Sequence, residues 1–201
     1  MAGLTDADAG TDPFALFTAW FEQALAAKLP EPNSFVLSTA TAGGAPSARV
    51  VLLKGYDERG FCFYTNYDSR KSLELKANPA CAVTFHWNEL ERQIRIEGRA
   101  ELMPAAESDE YYSVRPRNSQ LGAWTSPQSR VIAGREYLDE QLTAWTAAFE
   151  GSAPPRPANW GGWRIAPTVI EFWHGRPSRL HDRVRFTRTE GGGWAIDRLA
   201  P

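Results

Sequence analysis

Apolar residues recur first at helical spacing. Phe14, Phe17, Phe21, Ala24 and Leu25 follow Asp12 and Pro13, an N-cap and a first helical position, and predict an amphipathic helix to about Lys28. Pro30 and Pro32 end it. The pattern then shortens to runs of strand length. Residues 34–41 and 47–54 flank a hairpin turn at 42–45, and a second turn at 56–60 leads into a strand at 61–66. Ser69 is placed to cap a short helix to about residue 77, closed by Asn78-Pro79. Strands at 80–87 and 92–103 follow, then helices at 105–114 and 134–150 separated by the polar, irregular segment 115–129. A Pro-rich linker at 153–158 precedes strands at 163–174, 179–189 and 194–199. Short strands joined by tight turns predict a mainly β, antiparallel barrel with helical additions. No Gly-rich strand-to-helix fingerprint marks a doubly wound nucleotide site. Residues 1–11 read as a disordered tail and 12–201 as one domain.

Composition narrows the function classes. The 201 residues are 43% hydrophobic and 23% charged, with a net charge of -2, so nothing marks a nucleic-acid binder. Cys62 and Cys81 are far apart in apolar runs, giving neither a disulfide framework nor a metal motif, and the three histidines are dispersed. No metal is expected. No apolar run reaches the roughly 20 residues that span a bilayer, and the small, acidic first ten residues lack the order of a secretory signal, so a cytoplasmic location is expected.

Four polar clusters interrupt this ordinary background. In Arg49-Val50-Val51-Leu52-Leu53-Lys54, alternation puts Arg49, Val51 and Leu53 on one strand face and Val50, Leu52 and Lys54 on the other. Its end cations are either solvated or hold separate anions. Thr65, Ser69, Arg70 and Lys71 gather at a strand end and helix start, where free N–H groups suit a phosphate and adjacent cations oppose the helix dipole. Tyr111 and Arg115 share a helical face, with Ser119 beyond the Pro116 break. These three are either a solvated helix end or a phosphate grip. In Glu171-Phe172-Trp173-His174-Gly175-Arg176-Pro177-Ser178-Arg179-Leu180-His181-Asp182-Arg183, a strand from 179 would aim Arg179, His181 and Arg183 to one face. Three such groups repel one another unless an anion or a polar ring lies against them.

In this order the clusters resemble the pyridoxine (pyridoxamine) 5′-phosphate oxidase family, from about Asp12 to Pro201. The stretch 170–183 carries the family's Glu, aromatic, Trp, Gly, Arg-Leu-His-Asp-Arg signature. Glu91-Arg92-Gln93, Arg115-Pro116-Arg117 through Ser119-Gln120 and the closing Asp197-Arg198-Leu199-Ala200-Pro201 also fit. The resemblance implies a Greek-key-like split β-barrel homodimer with FMN at the subunit interface. It implies oxidation of pyridoxamine or pyridoxine 5′-phosphate to pyridoxal 5′-phosphate in vitamin B6 synthesis, with O2 reduced to H2O2. By the same resemblance, Arg49, Arg70 and Lys71 hold the FMN phosphate, and the backbone of Val50, Val51, Leu52 and Leu53 lines the rest with Tyr64, Thr65 and Gln93. Gln128, Ser129, Trp173 and Arg183 reach the flavin from the neighbouring subunit. Lys54, Tyr111, Arg115 and Ser119 grip the substrate phosphate, while Arg179, Leu180 and His181 cover the pyridine, with Arg179 and His181 in the catalytic role. One departure stands out: residues 1–11 contain neither the Arg nor the Tyr with which longer family N-termini fold over the substrate.

Overall fold

The computed structural model describes residues 3–201. Among them, nine strands form one antiparallel sheet. Helices α1 (Asp6–Ala9) and α2 (Pro13–Ala26) lead into the hairpin β1 (Ser34–Ala40) and β2 (Pro46–Leu52). Next come β3 (Gly55–Asp57), β4 (Gly60–Asn66) and α3 (Arg70–Ala77), then β5 (Ala80–Trp87) and β6 (Arg92–Leu102). Helices α4 (Ala105–Ser113), α5 (Arg117–Thr125) and α6 (Arg135–Ala148) precede β7 (Trp160–His174), β8 (Asp182–Arg188) and β9 (Trp194–Arg198).

The order β2-β1-β5-β6-β7-β4-β3 is Greek-key-like, because the chain makes β3, β4 and α3 before returning beside β1. Strand β7 is the spine. One edge pairs with β6, whereas the other pairs first with β4, through Trp160–Ile165, and then with β8, through Val169–His174. That division of one strand between two partners splits the barrel. Opposite Glu97/Gly98 of β6 the register skips Thr168, a bulge that bends β7. A Cβ on Gly98 would lie 2.2 Å from the Ala166 carbonyl oxygen, so glycine is required there. At the other end the barrel closes through the backbone, with Leu53 N–H donating to Asn33 O at 2.8 Å and Lys54 N–H to Cys62 O at 2.9 Å.

Helix α2 plugs the barrel. Asp12 accepts from Phe14 N–H and Pro13 opens the first turn, as the sequence predicts. Phe17 is fully buried, with Tyr56, Phe61 and Phe85 edge-on at ring-centroid distances of 4.8, 4.9 and 5.3 Å. Burial of each such side chain contributes about 1.5–3 kcal/mol.

Three expectations need correction. The first is the disordered tail at 1–11, of which residues 1 and 2 lie outside the described residues. Thr5 and Asp8 form a capping box for α1, Leu4 and Ala9 are buried, and Arg198 binds Asp6 and the Leu4 carbonyl. The partners lie at the far end of the chain, so no local pattern reports them. The second is the irregular segment 115–129, which contains α5. Asn118, Ser119, Gly122 and Thr125 are weak helix formers, but Trp124 packs on Trp145 at 4.8 Å, and Tyr112 exchanges hydrogen bonds with Gln120. The third is the strand at 179–189, which begins only at Asp182. Ser178 and Arg179 both have φ of +60°, which no strand tolerates. Arg179, His181 and Arg183 therefore do not form one row on a strand face.

Candidate functional site

A cleft of about 470 Å³ opens where the end of β2, the end of β4 and the α4–α5 bend meet. Val50, Val51, Leu52 and Lys54 form one wall, and Tyr64, Thr65, Lys71 and Gln128 form the floor. Tyr111, Arg115 and Ser119 close the opposite side. Lys54, Tyr111, Arg115 and Ser119 are thus brought together as expected, although not on one helix face. Helix α4 ends at Ser113, and Arg115 lies beyond it.

What aims Arg115 is an aromatic ladder. Tyr64 stacks on Tyr111 at 4.0 Å and on Trp160 at 5.6 Å, and the Arg115 guanidinium lies 4.3 Å from the Trp160 ring centroid. Burial pushes the Tyr64 phenol up to about 12, so it remains a neutral donor, and burial lowers Arg115. Arg115 Nη1 is buried without a hydrogen-bond partner among the described residues. An unpaired buried guanidinium nitrogen facing a cleft calls for an anion. Trp160 was missed by sequence reasoning, although the flanking Gly161-Gly162 signals a close backbone approach.

Lys71 forms the second cationic point. Its side chain is buried, and Nζ donates to Thr65 Oγ1 at 3.1 Å, Ser69 Oγ at 3.1 Å and Gln128 Oε1 at 3.0 Å. All three partners are neutral. Burial, helped by Arg49, pushes its pKa down to about 8. Ser69, expected to cap α3, makes no capping bond and turns its hydroxyl to Lys71 and Ser72. That leaves the first α3 N–H groups without the cap.

Arg49 and Arg70 behave differently from Lys71. Both pair with Glu74, Arg70 Nε at 2.8 Å and Arg49 Nη2 at 3.4 Å, and neither walls the cleft. Arg70 lines a neighbouring cavity with Glu74 and Ser129. Arg49 also donates to Thr39 Oγ1 and Ser47 Oγ. Leu53 is buried in the core and offers the cleft no side chain. Burial alone would raise Glu74, but hydrogen bonds from Ser47, Thr39 and Arg70 outweigh it and bring the carboxyl down to about 2. A depressed carboxyl contributes stability that is complete above its ordinary value near 4.5 and is lost as pH falls toward 2. Glu74→Gln is expected to cost about 2 kcal/mol at pH 7. Urea midpoints of the two proteins should converge between pH 4.5 and 2; a constant gap would refute this role for Glu74.

The remaining residues collect elsewhere. Gln93 and Arg183 sit opposite Trp173 on β6 and β8, on either side of it in the sheet. Arg183 Nε donates to Glu171 Oε1 at 2.8 Å, which raises its pKa. His181 packs 4.6 Å from Trp173, and its Nδ1 accepts from Arg176 N–H at 3.1 Å. In neutral His181 the proton is therefore on Nε2. Arg179 and Leu180 are exposed on the same turn. None of these side chains walls the cleft. The grouping also differs from what the resemblance implies: Gln128 bonds Thr65 and Lys71 of its own chain, whereas Gln93 lies with Trp173 and Arg183.

An antiparallel split barrel with a cleft at its rim lined by Lys54, Lys71 and Arg115 defines the class of protein. The model of the family described as pyridoxamine 5′-phosphate oxidase matches residues 21–149, and that of the pyridoxine 5′-phosphate oxidase C-terminal dimerisation region matches residues 160–201. The chain belongs to the pyridoxamine 5′-phosphate oxidase family. It is 54% identical over 201 residues to a pyridoxine/pyridoxamine 5′-phosphate oxidase of Cupriavidus pinatubonensis, covering all of this chain and 94% of that one. It is 56% identical over 202 residues to a protein so named from Burkholderia orbicola, with the same coverage. A crystal structure of PhzG from Burkholderia lata 383, in complex with tetrahydrophenazine-1-carboxylic acid, superposes with a TM-score of 0.92 at 32% identity and 98% coverage of both chains. The fold is shared with an FMN-binding, pyridoxamine 5′-phosphate oxidase-related protein of Nostoc punctiforme, at a TM-score of 0.77, 15% identity, and coverage of 96% of this chain and 100% of that one.

Proposed function

We propose that the protein is an FMN-dependent oxidase that converts pyridoxamine and pyridoxine 5′-phosphate to pyridoxal 5′-phosphate, reducing O2 to H2O2. The observation that carries this reading is the presence in one cleft of two buried or half-buried cationic points, Lys71 and Arg115, that have no carboxylate partner among the described residues. One suits the FMN phosphate and the other the substrate phosphate. Lys71, with Thr65 and Gln128, fits the first, because a buried ammonium surrounded by neutral oxygens gains most from an added anion. Arg70 and Ser129 extend that side, and Arg49 supports it through Glu74. Bound FMN would supply the two-electron acceptor.

The protein's own part is orientation. Lys54, Tyr111, Arg115 and Ser119 hold the substrate phosphate and so set where the pyridine lies. Gln93, Trp173, Arg179, His181 and Arg183 are the second half of the site, contributed by the other subunit of a homodimer. The match of residues 160–201 to a dimerisation region supports this, as does the fact that these residues do not line the cleft of their own chain. His181 then presents Nε2–H to the substrate, with Arg176 N–H fixing the ring.

Purified protein should carry a flavin absorption spectrum and, in air, turn pyridoxamine 5′-phosphate into pyridoxal 5′-phosphate and peroxide. A folded, FMN-loaded sample that oxidises neither phosphorylated substrate would overturn the assignment. The likeness to PhzG supports a second reading, oxidation of a tricyclic phenazine precursor. The convergence of Lys54, Tyr111, Arg115 and Ser119 favours the phosphorylated substrate.

A further inference from the structure

The turn that carries Arg179 and His181 is held in an unfavourable backbone conformation. Ser178 and Arg179 both lie at φ +60°, in a single tight turn closed by Leu180 N–H donating to Pro177 O at 3.3 Å. Two adjacent non-glycine residues in this region persist only where surrounding contacts over-determine them. At the exit of the turn, Asp182 begins β8 opposite His174, and its carboxylate gathers three separate parts of the chain. Leu4 N–H donates to Oδ2 at 3.1 Å, Arg198 Nη1 donates to Oδ1 at 3.2 Å, and Arg176 Nε lies 3.6 Å from Oδ2. Arg198 in turn donates to Leu4 O at 3.0 Å and to Asp6 Oδ1 at 2.5 Å. The approach is close enough that a Cβ on Gly3 would sit 2.3 Å from Asp182 Oδ2.

We propose that Asp182 is a positioning residue, the centre of a clasp through which residues 3–6 and Arg198 hold the turn bearing Arg179 and His181. The inference rests on the reading above that those two side chains meet the substrate. Asp182 itself touches neither ligand. Its contacts bracket the turn: Arg176 lies at the entrance and also fixes His181 through its N–H, while Asp182 lies at the exit. Residues 3–6 thus act on the turn through Asp182 and Arg198.

Two variants of the full-length, FMN-loaded protein test this, Asp182→Asn and Arg198→Met. Each removes charge from the clasp while leaving Arg179 and His181 in place. Hydrogen exchange should quicken together at the amides of residues 3–6 and 176–182, with the rest of the barrel unchanged. The kcat/KM for pyridoxamine 5′-phosphate should fall on the order of tenfold to a hundredfold, as expected when reacting groups are misplaced by a fraction of an ångström. FMN affinity should stay within about twofold, and the double variant should lose no more than the worse single one, because both act through one contact network. Unchanged exchange in both variants overturns the clasp. Faster exchange with unchanged kcat/KM overturns the positioning role. A wild-type protein that turns over neither substrate defeats the functional reading instead, and the exchange measurement still decides whether the clasp exists.

Discussion

Lys71→Met is expected to lower FMN affinity on the order of a hundredfold or more while leaving the apoprotein as stable as the parent, or more so. Truncating one member of a buried charge pair has an effect of that size. The stability expectation follows from the partners. Within the protein, Lys71 Nζ donates to Thr65, Ser69 and Gln128, so among the described residues no carboxylate compensates the buried charge, and methionine removes it at nearly the same volume. The pH dependence has a definite sign. With its pKa depressed from 10.5 to about 8, Lys71 loses its proton in the folded state while the unfolded chain keeps it, so apoprotein stability gains from this group as pH rises between those values. FMN binding needs the charged form, so affinity should decline above about pH 8, and that decline should be missing in the variant. Flavin fluorescence titrations between pH 7 and 10 measure both. An unchanged dissociation constant would remove Lys71 from the phosphate site.

Arg115→Met is expected to lower kcat/KM for pyridoxamine 5′-phosphate by two to three orders of magnitude, roughly the 3–4 kcal/mol of a buried charged partner. The guanidinium is already oriented by Trp160 and Tyr112, so little ordering is left for binding to supply. FMN content should be unaffected. The discriminating control is unphosphorylated pyridoxamine, whose slower turnover should be the same in both proteins. An equal loss with and without the phosphate would show that Arg115 acts on the fold and not on the phosphate. Trp160→Leu should reproduce part of the loss, since it removes the surface on which the guanidinium rests.

Much of this site was legible because its chemistry is locally anomalous. Consecutive cations at the start of α3 oppose the helix dipole, and Lys71 does prove to be a buried cation facing a cleft. The neighbouring Arg70 carries the same local signal, yet it pairs with Glu74 one turn on. The difference is a matter of which way each side chain leaves the helix, and that depends on what packs there. Similarly, Arg49 and Lys54 looked equivalent as strand-end charges. Alternation separates their faces, but only the closed barrel shows that Lys54 borders the cleft while Arg49 turns to Thr39 and Glu74. The strand assumed at 179–183 failed for another reason. Arg-Leu-His-Asp-Arg alternates well enough, but the positive φ at Ser178 and Arg179 is imposed by distant contacts, among them those of Asp182.

By itself the sequence determined the first long helix, most of the strands, and several of the polar residues that line the cleft. These depend on periodicity and turn chemistry, which act within a few residues. Tertiary structure decided which cations are free to take a ligand, that Trp160 aims Arg115, and that the N-terminal segment is tied to the signature turn. Each is a contact between residues far apart in the chain, such as Leu4 with Asp182 and Gln128 with Thr65. Such pairings arise only when long-range packing closes the barrel, and no local pattern encodes them.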